Sequence, residues 1–149
     1  MAPVLSFDNP IFSQFAFYAS VVIIKTLIMA PLTALSRFKY NAFGNPEDYV
    51  TVKKPSKVVV NDAVERIRRC HLNDLENVIP FVIVGPMYIL TGPQAAIAAL
   101  HFQIFAGARI FHSIAYLLPL PQPSRALAYV VGLIVTISML VNVLKHATF

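Results

Sequence analysis

ERIRRCHLNDLENVIPF, Glu65–Phe81, runs without a break into VIVGPMYIL, Val82–Leu90. The second part is apolar enough for a membrane interior. The first carries Glu65, Arg66, Arg68, Arg69, His71, Asp74 and Glu76 on what reads as the leading half of the same membrane helix. An ionisable group at membrane depth is costly unless it is paired or lines a polar cavity, so this half-helix is expected to form one wall of a functional site. A solvated helix end that happens to be charged is the plainer alternative.

The rest of the chain supports the membrane reading. Its 149 residues are 57% hydrophobic and 13% charged, far from the usual balance of a soluble domain. That length suits a single membrane domain, 1–149, largely consumed by apolar stretches. The net charge of +5 comes without a basic-aromatic module or zinc spacing, so it points to membrane topology rather than nucleic acid. One cysteine, Cys70, excludes an intramolecular disulfide and a cysteine metal cluster, and it reads as a buried bystander. The N-terminus MAPVLSFDNPIF lacks the basic region and cleavage site of a signal peptide, so the first apolar stretch is expected to remain as an anchor.

Four spans are expected, at about 11–36, 62–90, 94–118 and 124–146. They form an all-α bundle with a loop at about 37–61. Lys25 falls near the middle of the first span and needs a partner. Pro80 permits a bend where the polar half of span two meets its apolar half. Thr91-Gly92-Pro93 makes a turn, and LPLPQPS joins spans three and four as a stiff connection. Arg37, Lys39, Lys53, Lys54, Lys57, Arg66, Arg68 and Arg69 all lie between spans one and two or at the start of span two, against Lys145 near the C-terminus. The positive-inside rule puts that loop in the cytosol, and Arg125 returns to the same side.

Polar residues gather there. Helical spacing aligns Arg66, Arg69, Asn73 and Glu76 in span two, and Arg109, His112 and Tyr116 in span three. Span four is expected to open with Ser124 as N-cap and Arg125 in its first turn, where a cation is unfavourable. A local rule broken without local gain suggests function, and a guanidinium beside a helix N-terminus makes an anion site. Taken singly, His112 reads as a hydrogen-bonded core histidine, Tyr116 and Tyr129 as interface aromatics, and Arg125 as a residue reaching lipid headgroups. Together, Arg37, Arg69, Asn73, Glu76, Arg109, His112, Tyr116, Arg125 and Tyr129 can approach one half of one bundle. Such a pocket suits a small polyvalent anion carrying an amine.

Three motifs, FGNPEDY (Phe43–Tyr49), VERIRRCHLNDLENVIPF (Val64–Phe81) and HFQIFAGARIFHSIAYLLPLPQPSRAL (His101–Leu127), resemble the membrane-associated proteins in eicosanoid and glutathione metabolism. The resemblance runs from about Lys25 to Leu144. It implies a homotrimer of four-helix subunits in the endoplasmic reticulum or outer mitochondrial membrane, with glutathione as cosubstrate near the cytosolic face and no metal. Residue by residue, it implies a glutathione site of Arg37, Arg68, Arg69, His71, Asn73, Glu76, Arg109, His112, Tyr116 and Arg125, with Arg125 and Tyr129 at the chemistry and Asp74 as a structural partner for an arginine.

Branch-specific positions discriminate within the family. Leu72 and Ala126 depart from the prostaglandin E synthase branch, which carries arginine and serine there, whereas Tyr129 resembles it. Tyr49 stands where some members carry a reactive cysteine. The resemblance implies a glutathione transferase acting on lipophilic electrophiles, with lipid hydroperoxide reduction beside it. An endoperoxide isomerase and a non-catalytic lipid-binding scaffold are the rival readings.

Overall fold

The computed structural model describes residues 3–51 and 58–147. Lys53, Lys54 and Lys57, counted above among the loop cations, lie outside the described residues. Five helices follow in order: α1 (Pro10–Tyr40), α2 (Pro46–Thr51), α3 (Asp62–Leu90), α4 (Ala95–Leu117) and α5 (Ser124–His146).

Local chemistry sets most of these ends. Asn9 caps α1 by accepting from the Ile11 amide at 3.0 Å, with Pro10 at the first helical position, where its missing N–H costs nothing. The helix runs through Pro31 and stops at Asn41, whose φ of 50° turns the chain out in the left-handed conformation that asparagine tolerates. It therefore extends beyond the expected end near Ser36. Hydrated Arg37 and Lys39 continue the helix past the apolar stretch and suit its negative C-terminal end. Asn61 caps α3 through the amides of Ala63 and Val64. That helix continues through both Pro80 and Pro86. Gly92, at φ +68°, supplies the turn into α4.

Helices α1, α4 and α5 are each long and apolar enough to cross a membrane. The 23 residues of α4 and of α5 span about 35 Å, against a hydrocarbon core of about 30 Å. Helix α3 has 29 residues, but its charged first half sets it apart. The long helices pack directly: α4 on α5, α1 on α3 and α4, and α3 also on α4 and α5. Apolar side chains point outward as well as inward, among them Ile24, Leu27 and Ile28 on α1, Ile79 and Ile83 on α3, and Ile134 and Leu144 on α5. Such extensive apolar exposure fits a lipid-facing surface.

Aromatic rings fill the middle. Phe81 stacks on Phe105 with centroids 3.8 Å apart, and Phe15 packs edgewise on Phe102 at 5.4 Å. Gly85 lets the Phe15 ring lie against α3, since a Cβ there would fall 2.0 Å from a ring carbon. The loop before α3 has its own anchor in Tyr49, only 2% exposed. Its hydroxyl accepts from the amides of Phe43 at 3.1 Å and Val59 at 3.0 Å.

Candidate functional site

A buried ionic cluster underlies the polar end of the helices. Asp74, on α3, is completely buried, and its Oδ1 accepts from Arg109 Nη2 of α4 at 2.9 Å and from Lys25 Nζ of α1. Lys25 also donates to Ser113 Oγ at 2.8 Å, and Cys70, fully buried, lies against the same hydroxyl at 3.7 Å. Lys25 thus finds its partner within the chain. So does Asp74, which the family resemblance placed opposite an arginine. Hydrogen bonds supplement the Coulomb attraction that offsets burying two cations around one carboxylate, although Asp74 Oδ2 and Arg109 Nε and Nη1 make no hydrogen bond among the described residues.

Arg109 is entirely buried. The same Nη2 that contacts Asp74 reaches Asn73 Oδ1 at 2.8 Å and His112 Nδ1 at 3.2 Å. A guanidinium only donates, so His112 Nδ1 accepts, and the neutral ring carries its proton on Nε2. Arg109 therefore braces two polar side chains from behind. It is placed beneath the site rather than on its wall.

In front of this brace lies a cleft of about 290 Å³ lined by Asn73, His112, Tyr116, Gln122, Arg125, Ala126 and Tyr129. Three helices supply it. Tyr116 sits one turn beyond His112 on α4, with the two rings 5.3 Å apart. The Arg125 guanidinium lies 4.7 Å above the Tyr116 ring, a cation–π contact. With its amide oxygen facing the guanidinium, Gln122 accepts from Arg125 Nη2 at 2.7 Å. Arg125 makes no ion pair with a carboxylate among the described residues. Tyr129 follows one turn along α5.

The start of α5 differs from expectation. The cap position is Pro123, with no side-chain cap. Ser124 is already helical and its hydroxyl donates to the Pro121 carbonyl at 2.6 Å. The proline-rich connection shifts the helix start by one residue, so the serine braces the turn instead of capping the helix. An uncapped helix N-terminus beside a guanidinium favours an anion.

The remaining expected residues lie outside this cleft in the single chain. Arg68, Arg69 and His71 line a separate depression of about 220 Å³ with Leu72 and Leu75. Arg68 bonds Glu65 at 3.1 Å. Glu76 is exposed on α3. Arg37, half-buried at the end of α1, donates to the Ala42 carbonyl at 3.1 Å and lies against Gly44. Sequence reasoning placed neither Ala126 nor Gln122 in the cleft, and the polar one of the two is Gln122. Its signal was a lone amide among prolines three residues before the site arginine.

The architecture and site together define a helical membrane protein with an arginine-centred polar cleft at one end. A family model described as the MAPEG family matches residues 15–145, and the chain belongs to that family. Within it, the chain is 49% identical over 146 residues to human microsomal glutathione S-transferase 1, covering 95% of this chain and 94% of the relative. The mouse protein of the same name is 46% identical over the same length, with the same coverage. Human prostaglandin E synthase is more distant, at 32% identity over 143 residues, covering 96% of this chain and 94% of that protein.

Proposed function

We propose that this chain is a membrane-bound glutathione transferase that joins the glutathione sulfur to lipophilic electrophiles. The observation that carries the proposal is Arg125, free of any carboxylate among the described residues, held over Tyr116 at the uncapped start of α5 in a cleft shared with His112, Asn73 and Tyr129. The similarity to microsomal glutathione S-transferase 1 supports the same reading.

A free thiol of this type has a pKa of about 8.5, so at neutral pH only a few per cent is thiolate. Arg125 and the α5 N-terminus stabilise the thiolate, as cations and helix ends do for cysteine. The thiol proton leaves to solvent. Tyr129 donates a hydrogen bond at the sulfur or at the departing group. The sulfur then attacks the electrophilic carbon, the C–S bond forms, and the leaving group departs with its electron pair. With a lipid hydroperoxide, the thiolate attacks the terminal oxygen and the O–O bond breaks. The alkoxide takes a proton, and a second glutathione converts the sulfenic product to the disulfide and water. Holding both reactants together and stabilising the thiolate supply the rate.

Arg109 acts through Asn73 and His112, holding Oδ1 of one and Nδ1 of the other and so leaving a side-chain amide N–H and a ring N–H for the peptide. Arg37, Arg68, Arg69, His71 and Glu76 complete the glutathione site when subunits associate as a homotrimer, in which the exposed α3 face of one copy meets the cleft of another. The sites face the cytosol from the endoplasmic reticulum or outer mitochondrial membrane, in keeping with Arg37, Lys39, Arg66, Arg68, Arg69 and Arg125 at one end. Assaying purified protein with glutathione and chlorodinitrobenzene beside prostaglandin H2 separates transferase from isomerase. Turnover of the endoperoxide alone would replace this proposal with the isomerase reading.

A further inference from the structure

A second, larger cavity lies outside this site. It has a volume of about 460 Å³ and is formed where the end of α1, the start of α3 and the end of α4 converge, within the size range of about 300–1,000 Å³ usual for small-molecule sites. Its walls are mixed. Lys39 and Arg66 supply two cations, Ser36 a hydroxyl, and Ile67 and Leu117 an apolar floor. Neither cation has a carboxylate partner among the described residues. None of these residues lines the Arg125 cleft.

The rim of the cavity lies on an exposed apolar stripe of α1. Leu35, on that rim, is 66% exposed, and Ile28 and Ile24, two and three turns back along α1, are 49% and 57% exposed. Spacings of seven and four residues put all three on one stripe of the helix. The stripe runs from the charged end of the helix towards its membrane-spanning middle. Two cations without a carboxylate partner among the described residues, Lys39 lying over the Tyr40 ring at 5.2 Å, at the head of an apolar stripe match a molecule with an anionic head and an aliphatic tail, and basic pockets between membrane helices take anionic lipid headgroups.

We infer that the α1–α3–α4 cavity binds an anionic amphiphile, its phosphate or carboxylate head held by Lys39 and Arg66 and its chain laid along Leu35, Ile28 and Ile24. A phospholipid and a free fatty acid share this chemistry. Intact protein, delipidated in a non-ionic detergent, is titrated with dioleoyl phosphatidic acid, oleate, dioleoyl phosphatidylcholine and inorganic phosphate, and bound ligand is counted by native mass spectrometry. One or both anionic amphiphiles bind saturably, and which of them binds identifies the source. Phosphatidylcholine and inorganic phosphate bind far more weakly. Each cation contributes about fivefold, so Lys39→Gln weakens binding about fivefold and Lys39→Gln/Arg66→Gln about 25-fold. Lys39→Arg retains it, and glutathione turnover is unchanged in all three variants. Lys39 is near the exposed end of α1, so its single variant keeps the test decisive even where the double variant fails to fold. Equal binding of phosphatidylcholine, or unaltered affinity in Lys39→Gln, would overturn the inference. A changed oligomeric state with unchanged lipid affinity would give the cavity to a second copy and overturn it equally.

Discussion

Replacing Asp74 tests the buried cluster on which the cleft rests. Asp74 is the carboxylate that Lys25 and Arg109 share. Asp74→Asn keeps the shape but removes the charge, leaving a fully buried guanidinium and a largely buried ammonium uncompensated. Breaking a buried pair by removing one partner costs about 3–5 kcal/mol, and here one side chain serves two cations, so the upper half of that range is expected. Lys25→Met is the informative contrast. It removes the surplus cation, leaves Asp74 and Arg109 balanced one to one, and loses the 2.8 Å bond to Ser113, for a net cost of about 1 kcal/mol. Thermal unfolding in one detergent, followed by helical circular dichroism, ranks the variants. Asp74→Asn should melt far below the parent, with Lys25→Met close to it. Equal melting of Asp74→Asn and the parent, or the reverse order of the two variants, would refute the reasoning.

Gly85→Ala drives a methyl into the Phe15 ring and should destabilise by about 1–3 kcal/mol, read as a lower melting temperature. Tyr49→Phe strips the acceptor from the amides of Phe43 and Val59, costing about 1–3 kcal/mol locally. Limited proteolysis should then cut the loop before α3 faster while the long helices persist. Gln122→Ala frees the Arg125 guanidinium from its amide partner and should lower kcat severalfold, with little change in melting temperature. Arg109→Met removes the brace behind Asn73 and His112 and leaves Asp74 paired with Lys25 alone. It should raise the KM for glutathione and lower stability together, whereas Tyr129→Phe should lower kcat with stability intact.

Apolar length and basic residues made the helical membrane fold legible, and the bounds of α3 and α5 lie close to those read from the sequence. The end of α1 was harder because a hydrated helix terminus carries no apolar signal. The short α2 went unseen within a loop whose only mark was Pro46 followed by Glu47 and Asp48. Spacing put His112 and Tyr116 together, and both line the cleft. It could not give depth. Arg109 shares their stripe yet lies behind the cleft, since periodicity fixes direction around a helix but not which neighbour covers a side chain. The pairing of Lys25 with Asp74 joins two helices across 49 residues, and no local pattern encodes it. Gln122 looked like part of a spacer because its role depends on how the proline-rich turn folds back over Arg125.

The proposed chemistry requires Arg125 to hold the glutathione sulfur as a thiolate. The most direct measurement is the ultraviolet absorbance of the thiolate as glutathione is added to the purified protein at neutral pH, with Arg125→Ala measured beside it. The parent should develop the band and titrate well below the free thiol value of about 8.5, and Arg125→Ala should lose both band and conjugation while still binding glutathione and remaining folded. A full thiolate band and undiminished turnover in Arg125→Ala would contradict the account.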